Sequence, residues 1–411
     1  MNVISLIAAG RSGVTFLHSL LDSHPNCCTI PGSCVSKYYS WYKKNKSLKI
    51  ESLIIKFIED RPIIFDIKNP SFIAYGFNRM GKSGDKNIAI NKKSFFKNFN
   101  TLIDSNYSST SRDFFIKMHL AYAKTIEQNT EKINTIVYNM HFYDPQGAKL
   151  LVADFPNTKF IHVVRDPIQA ILSLINHYYG GNMYKYKRSY VIEQTFIHFL
   201  KILPLVDGYQ DKSRFIKLED LHLDSERTMG KLIKFLDVDW NDCLLKSTFN
   251  GLMWWNLAIT KRVSGFNKET IKKDRHLHLI TKFDRKRLLS ILSPVYDMLE
   301  YKNKIMFSRY LIMLFTIVLP FKFEILGFIS SECGQISKKD NKTKSLMTSK
   351  SFKFVFSLYN FLGKIYFVFK HLFLLRKIFL KFLLIKFSIV IQKKSPFFKF
   401  IDLNKTKILL I

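Results

Sequence analysis

Alternating apolar and polar blocks along the first 300 residues predict strands that are each followed by a helix. Residues 2–9 are mostly apolar, residues 10–13 have a turn composition, and residues 14–22 place apolar side chains at 16, 17, 20 and 21, the spacing of one helix face. A second apolar strand is expected at Lys159–Val164, with a helical pattern continuing to Tyr179. This order is typical of an α/β fold, a twisted parallel sheet flanked by helices.

The turn after the first strand, Gly10-Arg11-Ser12-Gly13, has the composition of an anion-binding loop. Such a loop leaves backbone N–H groups unpaired and directs them, with the positive end of the helix dipole, toward one point. The loop lacks the Lys-Ser/Thr pair that follows the second glycine in nucleotide hydrolases. Taken alone, it fits an anion site and an ordinary strand-turn-helix equally well.

A second candidate anion site follows the second strand. Arg165 comes directly after that strand, Pro167 suits the first turn of a helix, and Ser173 lies two turns along it. The carboxyl ends of parallel strands are where such sheets present ligands, and arginine binds phosphate well. Two anion sites at two strand ends indicate a nucleotide that carries two separate phosphates.

Three stretches resemble the P-loop sulfotransferases, which transfer a sulfuryl group from 3′-phosphoadenosine 5′-phosphosulfate (PAPS) to an acceptor. AAGRSGVTFLHSLLDSHPN resembles the 5′-phosphosulfate loop with its helix, and FPNTKFIHVVRDPIQAILS resembles the 3′-phosphate motif. RFIKLEDLHLDSERTMGKLIKFLDVDW resembles a late strand-helix segment of the family. The order and spacing agree over residues 1–300, with residues 284–301 matching the closing helix.

This resemblance implies that PAPS is the sulfuryl donor and that no metal is needed. The residues that it assigns to donor binding lie in the loop, after the second strand and late in the domain: Gly10, Arg11, Ser12, Gly13, Val14, Thr15, Phe16, Arg165, Ser173, Phe249 and Arg262. Two positions depart from the family pattern, because Val14 replaces a threonine and Leu218 replaces a tyrosine. One hydroxyl contact to the donor is therefore missing.

Some of those assignments have ordinary alternatives, which are a surface loop cation for Arg11 and an ordinary first-turn residue for Thr15. Phe249 lies in a segment that resembles the family's adenine-packing aromatic, and Phe16 occupies the aromatic position of the loop. Either ring suits stacking. A core position explains Phe249 equally well, since the chain has 38 phenylalanines. Arg262 belongs to a degenerate form of the loop that closes on the 3′-phosphate in the family.

The acceptor must lose a proton, so a general base is required. In the family the base is either a glutamate soon after the first helix or a histidine upstream of the Arg-Asp-Pro strand. Pro31-Gly32 stands where relatives often have Pro-Glu, which favours histidine. His141 lies 24 residues before Arg165 and is the first candidate, although the lysine of the family pattern is absent. His119 is the second, and Arg11 is expected to stabilise charge in the transition state.

Residues 33–110 match no motif and are expected to form a cap on the acceptor side. Within this region, residues 37–44 combine Tyr and Trp with Lys. One interpretation is that these residues bind a sugar face or an acidic substrate. The other is that they form a solvated helix face. We expect the solvated helix face, and a carbohydrate or glycolipid as the acceptor.

Composition separates residues 301–411 from the rest. The whole chain has a formal net charge of +32, and this stretch contains 21 Lys and Arg against four acids, together with 18 of the 38 phenylalanines. Lys370, Lys377 and Lys381 fall on one side of a helical wheel and leave a wide apolar face. A basic amphipathic helical extension on an anionic membrane surface is the expectation, with a helical hairpin packed on the enzyme and low-complexity sequence as alternatives.

The cysteines and the apolar runs bear on localisation. The five cysteines form no C-x-x-C pair, which favours reduced thiols in the cytoplasm. The first apolar run ends at Arg11, too early for a signal peptide, and residues 310–321 are too few to span a bilayer. We therefore expect a cytoplasmic protein that binds peripherally to the inner face of the membrane.

Two other function classes remain open. A small-molecule kinase with the same loop is disfavoured, because the magnesium-binding Lys-Ser/Thr pair is missing. A non-enzymatic protein that binds anions or a membrane surface through its charge is the other. Nucleic acid is an unfavoured partner, because the basic segment is rich in large apolar residues.

Overall fold

The computed structural model describes residues 1–8, 10–103, 110–142, 144–179, 209, 211–255, 264–271, 276–301, 321–322 and 411. The chain divides into two compact units. Unit 1 comprises Met1–Val164, Asp211–Lys272 and Leu409–Ile411, and unit 2 comprises Arg165–Gln210 and Lys273–Ile408. The basic segment 301–411 lies outside the described residues except at 301, 321, 322 and 411.

Unit 1 is built on a five-stranded parallel sheet, which confirms the predicted fold class. Its strands are β1 (Asn2–Ala8), β2 (Cys27–Thr29), β3 (Thr135–His141), β4 (Lys159–Val164) and β5 (Ser213–Lys217), in the order β2-β3-β1-β4-β5. A parallel sheet covered on both faces requires nearly continuous apolar strands. The central strand β1 meets this requirement, because all its residues after Asn2 are buried. A short antiparallel pair, β6 (Thr248–Phe249) and β7 (Leu252–Met253), lies apart from the sheet.

The described helices follow the predicted alternation with strands. The helices of unit 1 up to β4 are α1 (Val14–Leu21), α2 (Tyr38–Asn45), α3 (Ile50–Asp60), α4 (Pro70–Ala74), α5 (Lys92–Asn100), α6 (Ser111–Thr125) and α7 (Pro145–Asp154). Next in the chain comes α8 (Pro167–Tyr179), which belongs to unit 2. Unit 1 then adds α9 (Leu218–Leu223) and α10 (Ser225–Leu236), and unit 2 contains the closing helix α11 (Lys282–Met298).

Helix α2 shows how the tyrosine- and lysine-rich stretch folds. The aromatic side chains of Tyr38, Tyr39, Trp41 and Tyr42 are buried, and the lysines at 43 and 44 are exposed. The ring of Tyr38 packs edge-on against Phe115 of α6 with centroids 4.9 Å apart. The lysines therefore form a solvated helix face as expected. The aromatic rings lie on the opposite, buried face of α2, where Tyr38 packs against α6.

In unit 2, hydrogen bonds of Asp166 connect the start of α8 with the closing helix α11. Asp166 precedes α8, and its Oδ1 accepts a hydrogen bond from the Gln169 N–H at 2.9 Å, the bond of a helix N-cap. Tyr296 of α11 donates its hydroxyl to the same carboxylate at 3.0 Å.

Within the described residues, no helix has the length and apolar character needed to cross a bilayer.

Candidate functional site

The glycine loop joins the carboxyl end of β1 to α1 and requires backbone that glycine favours. Gly10 and Gly13 have φ of 63° and 91°, and Arg11 itself has φ 48°, all in the left-handed region. The carbonyl of Gly13 accepts hydrogen bonds from the N–H groups of Phe16 and Leu17, at 2.9 and 3.1 Å. The helix therefore begins directly at the loop, and its first-turn N–H groups point away from the helix body.

Leu218 holds the loop from the side. It is buried at the start of α9, and a Cβ added to Gly13 would lie 2.5 Å from its Cδ1 atom. The leucine that stands here in place of the tyrosine of the family pattern thus fills the space beside Gly13. The loop is confined between β1, α1 and the strand-helix junction of β5.

The aromatic residue of the loop is covered. Phe16 is 4% exposed, its ring stacks on His222 of α9 with centroids 4.6 Å apart, and Phe266 contacts it edge-on at 5.3 Å. Stacking on adenine needs a ring with a free face. Phe16 therefore stabilises the loop by packing, and the adenine role expected for it is not supported.

Phe249 is likewise a core residue, the alternative that the sequence left open. Its side chain is fully buried, and its ring makes edge contacts with His18, Phe77 and Trp254 at 5.2 to 5.6 Å. Arg262 lies outside the described residues.

His141 ends β3 beside the loop-bearing strand. The register between β1 and β3 pairs Leu6 with Asn139 and Ile7 with His141, so Met140 forms a one-residue bulge. His141 has φ 66°, which is uncommon for a residue with a side chain. Its backbone N–H donates to Asn139 Oδ1 at 3.0 Å.

The imidazole of His141 is held neutral. Burial, together with a smaller effect from the charge of Arg11, lowers its pKa from 6.5 to about 4. Its Nδ1 atom is buried and has no hydrogen-bond partner among the described residues. At neutral pH the ring has a free lone pair, the form that a general base requires.

His119 faces the core rather than the loop. It is 1% exposed, its Nδ1 donates to the Phe115 carbonyl at 2.8 Å, and its ring packs on Phe115 at 4.4 Å. Desolvation lowers its pKa to about 4. His119, the second candidate base, therefore lies on the buried side of α6, and its charge also lowers the pKa of His18.

Gly32 occupies the position where relatives have a glutamate. Its φ is 71°, and a Cβ would lie 3.2 Å from the rings of both Phe77 and Tyr75. Its carbonyl accepts a hydrogen bond from Asn139 Nδ2 at 2.9 Å. The backbone here suits glycine, which agrees with the inference that the base lies elsewhere.

Tyr75 and Asn139 are site residues that sequence reasoning missed. The Tyr75 hydroxyl donates to Ser33 Oγ at 2.9 Å, and the charge of Arg11 acts on its pKa, which desolvation raises. Asn139 lies two residues before His141, where one of the two forms of the family pattern has its lysine. That spacing was the available signal for Asn139, whereas nothing in the sequence pointed to Tyr75.

The residues assigned to the 3′-phosphate lie in unit 2. Arg165 follows β4 directly and is 8% exposed, and Ser173 is half-buried on α8. Asp166 between them is fixed by the cap and by Tyr296. No group of three or more His, Cys, Asp or Glu in the described residues could hold a metal ion.

The chain has relatives among sulfotransferases. A model described as "Sulfotransferase family" matches residues 85–242. A protein-tyrosine sulfotransferase of Drosophila melanogaster is 32% identical over 110 residues, which are 25% of this chain and 21% of the fly protein. The alignment thus spans about a fifth of the fly protein's length. Residues 85–242 are therefore similar to sulfotransferases, and the glycine loop and the Arg-Asp-Pro strand resemble the P-loop sulfotransferase motifs.

Solved structures in the same comparison are also sulfotransferase domains. The domain from the curacin biosynthetic pathway is 17% identical, with a TM-score of 0.43 over 74% of this chain and 99% of that domain. The domain from the olefin synthase of Synechococcus PCC 7002 is 14% identical, with a TM-score of 0.38 over 74% of this chain and 96% of that domain.

Proposed function

We propose that this protein transfers a sulfuryl group from PAPS to the hydroxyl of an acceptor. The observation that carries the proposal is that Arg11 and His141 lie at the carboxyl ends of neighbouring parallel strands, β1 and β3. The charge of Arg11 also contributes to the lowered pKa of His141. A cation beside a neutral base suits the transfer of a sulfuryl group from an anionic donor to an acceptor hydroxyl that loses its proton.

The loop residues fit the phosphosulfate end of the donor. Arg11, Ser12 and the N–H groups of the first turn of α1, including that of Thr15, would hold its anionic oxygens. When bound, PAPS supplies an electrophilic sulfur and leaves as 3′-phosphoadenosine 5′-phosphate after its bridging S–O bond breaks. The acceptor oxygen forms the new bond to sulfur, and its proton passes to the free lone pair of His141.

The position of Gly13 supports this fit. Its left-handed backbone and its contact with Leu218 leave the loop without a side chain at the point where the helix begins. Val14 is buried and supplies no hydroxyl, so its contribution to donor binding is its N–H group. Arg165 and Ser173 are proposed to bind the 3′-phosphate, as the family motif implies.

Donor binding is tested by thermal stabilisation. 3′-Phosphoadenosine 5′-phosphate is expected to raise the melting temperature well above the shift produced by AMP, and Arg165→Ala should remove the difference. Equal shifts with both nucleotides would contradict the assignment of Arg165 and Ser173.

Turnover is tested with labelled PAPS in the presence of EDTA. A sulfotransferase keeps its activity, because positioning and charge stabilisation supply the catalysis without a metal. A kinase that uses the same loop would transfer phosphate from ATP only when magnesium is present. A non-enzymatic anion-binding protein would show neither reaction.

The acceptor is proposed to be a carbohydrate, free or linked to lipid. The support is the basic, phenylalanine-rich segment 301–411, which would hold the enzyme where surface glycans are assembled. The fly relative favours a second candidate, since its name assigns it protein tyrosine as acceptor. A panel of oligosaccharides, glycolipids and tyrosine peptides separates the two, and labelling of peptides alone would overturn the carbohydrate proposal.

Peripheral binding to the inner face of the membrane is part of the same proposal. The full-length protein should float with vesicles that contain anionic lipid and should remain unbound with neutral vesicles. A variant with Lys370, Lys377 and Lys381 changed to Glu should bind the anionic vesicles less. Equal flotation of the two proteins would remove the argument for a membrane.

A further inference from the structure

We propose that Asn139 is a positioning residue that holds His141 in place for proton transfer. This inference rests on the proposed function, in which His141 is the general base. Asn139 is fully buried on β3, and its side-chain amide makes two hydrogen bonds in opposite directions. One bond reaches Gly32 in the segment after β2, and the other reaches His141.

The bond to His141 forms a turn at the end of β3. Asn139 Oδ1 accepts the N–H of His141 at 3.0 Å, two residues along the chain, which is the geometry of an Asx turn. The turn accommodates the bulge at Met140 and the left-handed φ of 66° at His141. Left-handed backbone is uncommon for a residue with a side chain, and the hydrogen bond to the neighbouring amide offsets part of its cost.

The bond to Gly32 fixes the amide itself. Asn139 Nδ2 donates to the Gly32 carbonyl at 2.9 Å, and Gly32 is packed against the rings of Phe77 and Tyr75. Because both ends are held, the amide cannot rotate without losing a buried hydrogen bond. The His141 backbone is thereby connected to a part of the fold that packing makes rigid.

The two bonds also give a reason for Asn at position 139, where one of the two forms of the family pattern has lysine. A lysine has three donors and no acceptor, so it cannot accept the N–H of His141. Asparagine alone among the small polar residues offers one acceptor and one donor at fixed separation. Arg11 still provides a positive charge that acts on His141.

The first test is steady-state kinetics of Asn139→Ala and Asn139→Asp. Alanine removes both bonds, and we expect kcat to fall at least tenfold while the KM for PAPS changes less than twofold. Aspartate keeps an oxygen for the His141 N–H and loses the donor to Gly32, so its kcat should lie between those of alanine and the unchanged protein.

Gln128→Ala is the matched control. Gln128 also uses a side-chain amide to hold the β2 segment, since its Nε2 donates to the Cys27 carbonyl at 2.7 Å. It has no bond to His141 among the described residues. A loss of kcat in Gln128→Ala as large as that in Asn139→Ala would show that any loosening of β2 has this effect, and would overturn the proposal.

The second test follows the His141 imidazole by NMR. In Asn139→Ala we expect the His141 pKa to move from about 4 toward 6.5, because the released ring gains solvent. The pKa of His119, which is about 4 in the core, should stay unchanged. An unchanged His141 titration would overturn the proposal, and if alanine prevents folding the same titration is made on Asn139→Asp.

Failure of the proposed function gives a different result. If His141→Ala keeps full kcat, His141 is not the base and the function proposed for it is wrong. The titration of His141 in the Asn139 variants still reports whether the amide positions the ring.

Discussion

Leu218 lies against Gly13 so closely that a Cβ on the glycine would be 2.5 Å from the leucine Cδ1 atom. The two residues are 205 positions apart in the sequence, and each stands at the junction between a parallel strand and its helix. The contact therefore joins two strand ends of one sheet.

Gly13→Ala is expected to lose donor binding. Alanine is strained at φ 91°, and its methyl group would displace Leu218. The shift in melting temperature on adding 3′-phosphoadenosine 5′-phosphate measures the effect. Gly230→Ala is the matched control, because a Cβ there meets nothing within 4 Å, and that variant should be about 0.5–1 kcal/mol more stable with unchanged binding. Equal nucleotide shifts in the two variants would contradict the role of the loop.

His141→Ala is expected to lower kcat by about 10²- to 10⁴-fold, the usual contribution of a general base. Because burial and Arg11 lower the pKa of His141 to about 4, the ring is neutral from about pH 5 upward. The acid limb of kcat/KM should accordingly lie near pH 4 rather than 6.5. A profile with its midpoint near 6.5 would assign the base to a more exposed group.

Asp22→Asn is expected to change the pH dependence of stability. Asp22 ends α1 in a buried position, and desolvation raises its pKa from 3.8 to about 7. A raised pKa contributes stability that is present below pH 3.8 and is lost as the pH rises through 7. The variant should therefore gain on the unchanged protein between pH 4 and pH 8, by at most about 4 kcal/mol for a shift of this size.

Thermal melts of both proteins at several pH values measure that gain. Asn can still accept the Gly251 N–H, which Asp22 accepts at 3.3 Å. A constant difference between the two melting temperatures across this pH range would show that Asp22 remains ionised in the folded protein.

His162→Leu is expected to stabilise the protein. His162 lies in β4 stacked on Phe215 at 4.5 Å, and both ring nitrogens are buried without partners among the described residues. Removing an unsatisfied buried polar group contributes about 1–3 kcal/mol. The pKa of His162 is lowered to about 3, so the protein with histidine becomes less stable as the pH falls below 6.5. The stability gained from leucine should therefore be larger at pH 5 than at pH 8. Chemical denaturation at both pH values measures it, with the exposed His278→Leu as control.

Local sequence was sufficient to predict the elements on either side of the glycine loop. The apolar run of β1, the glycines at 10 and 13 and the helical spacing of α1 depend on residues near one another in the chain, so their pattern appears directly in the sequence. The same holds for β4 with Arg165 after it, and for the closing helix, predicted at residues 284–301 and found at Lys282–Met298.

Only the tertiary structure decided which side chains are available to a ligand. Phe16 and Phe249 lie in segments that suited adenine stacking, and partners such as His222 and Phe77, far away in the chain, cover their rings. His119 and His141 were both candidate bases. His119 lies on the side of α6 that faces the core, whereas His141 lies at the end of β3 and is only partly buried. The two bonds of Asn139 likewise connect residues 107 and 2 positions apart. Exposure and long-range hydrogen bonds depend on how separate segments pack, which periodicity within one segment does not encode.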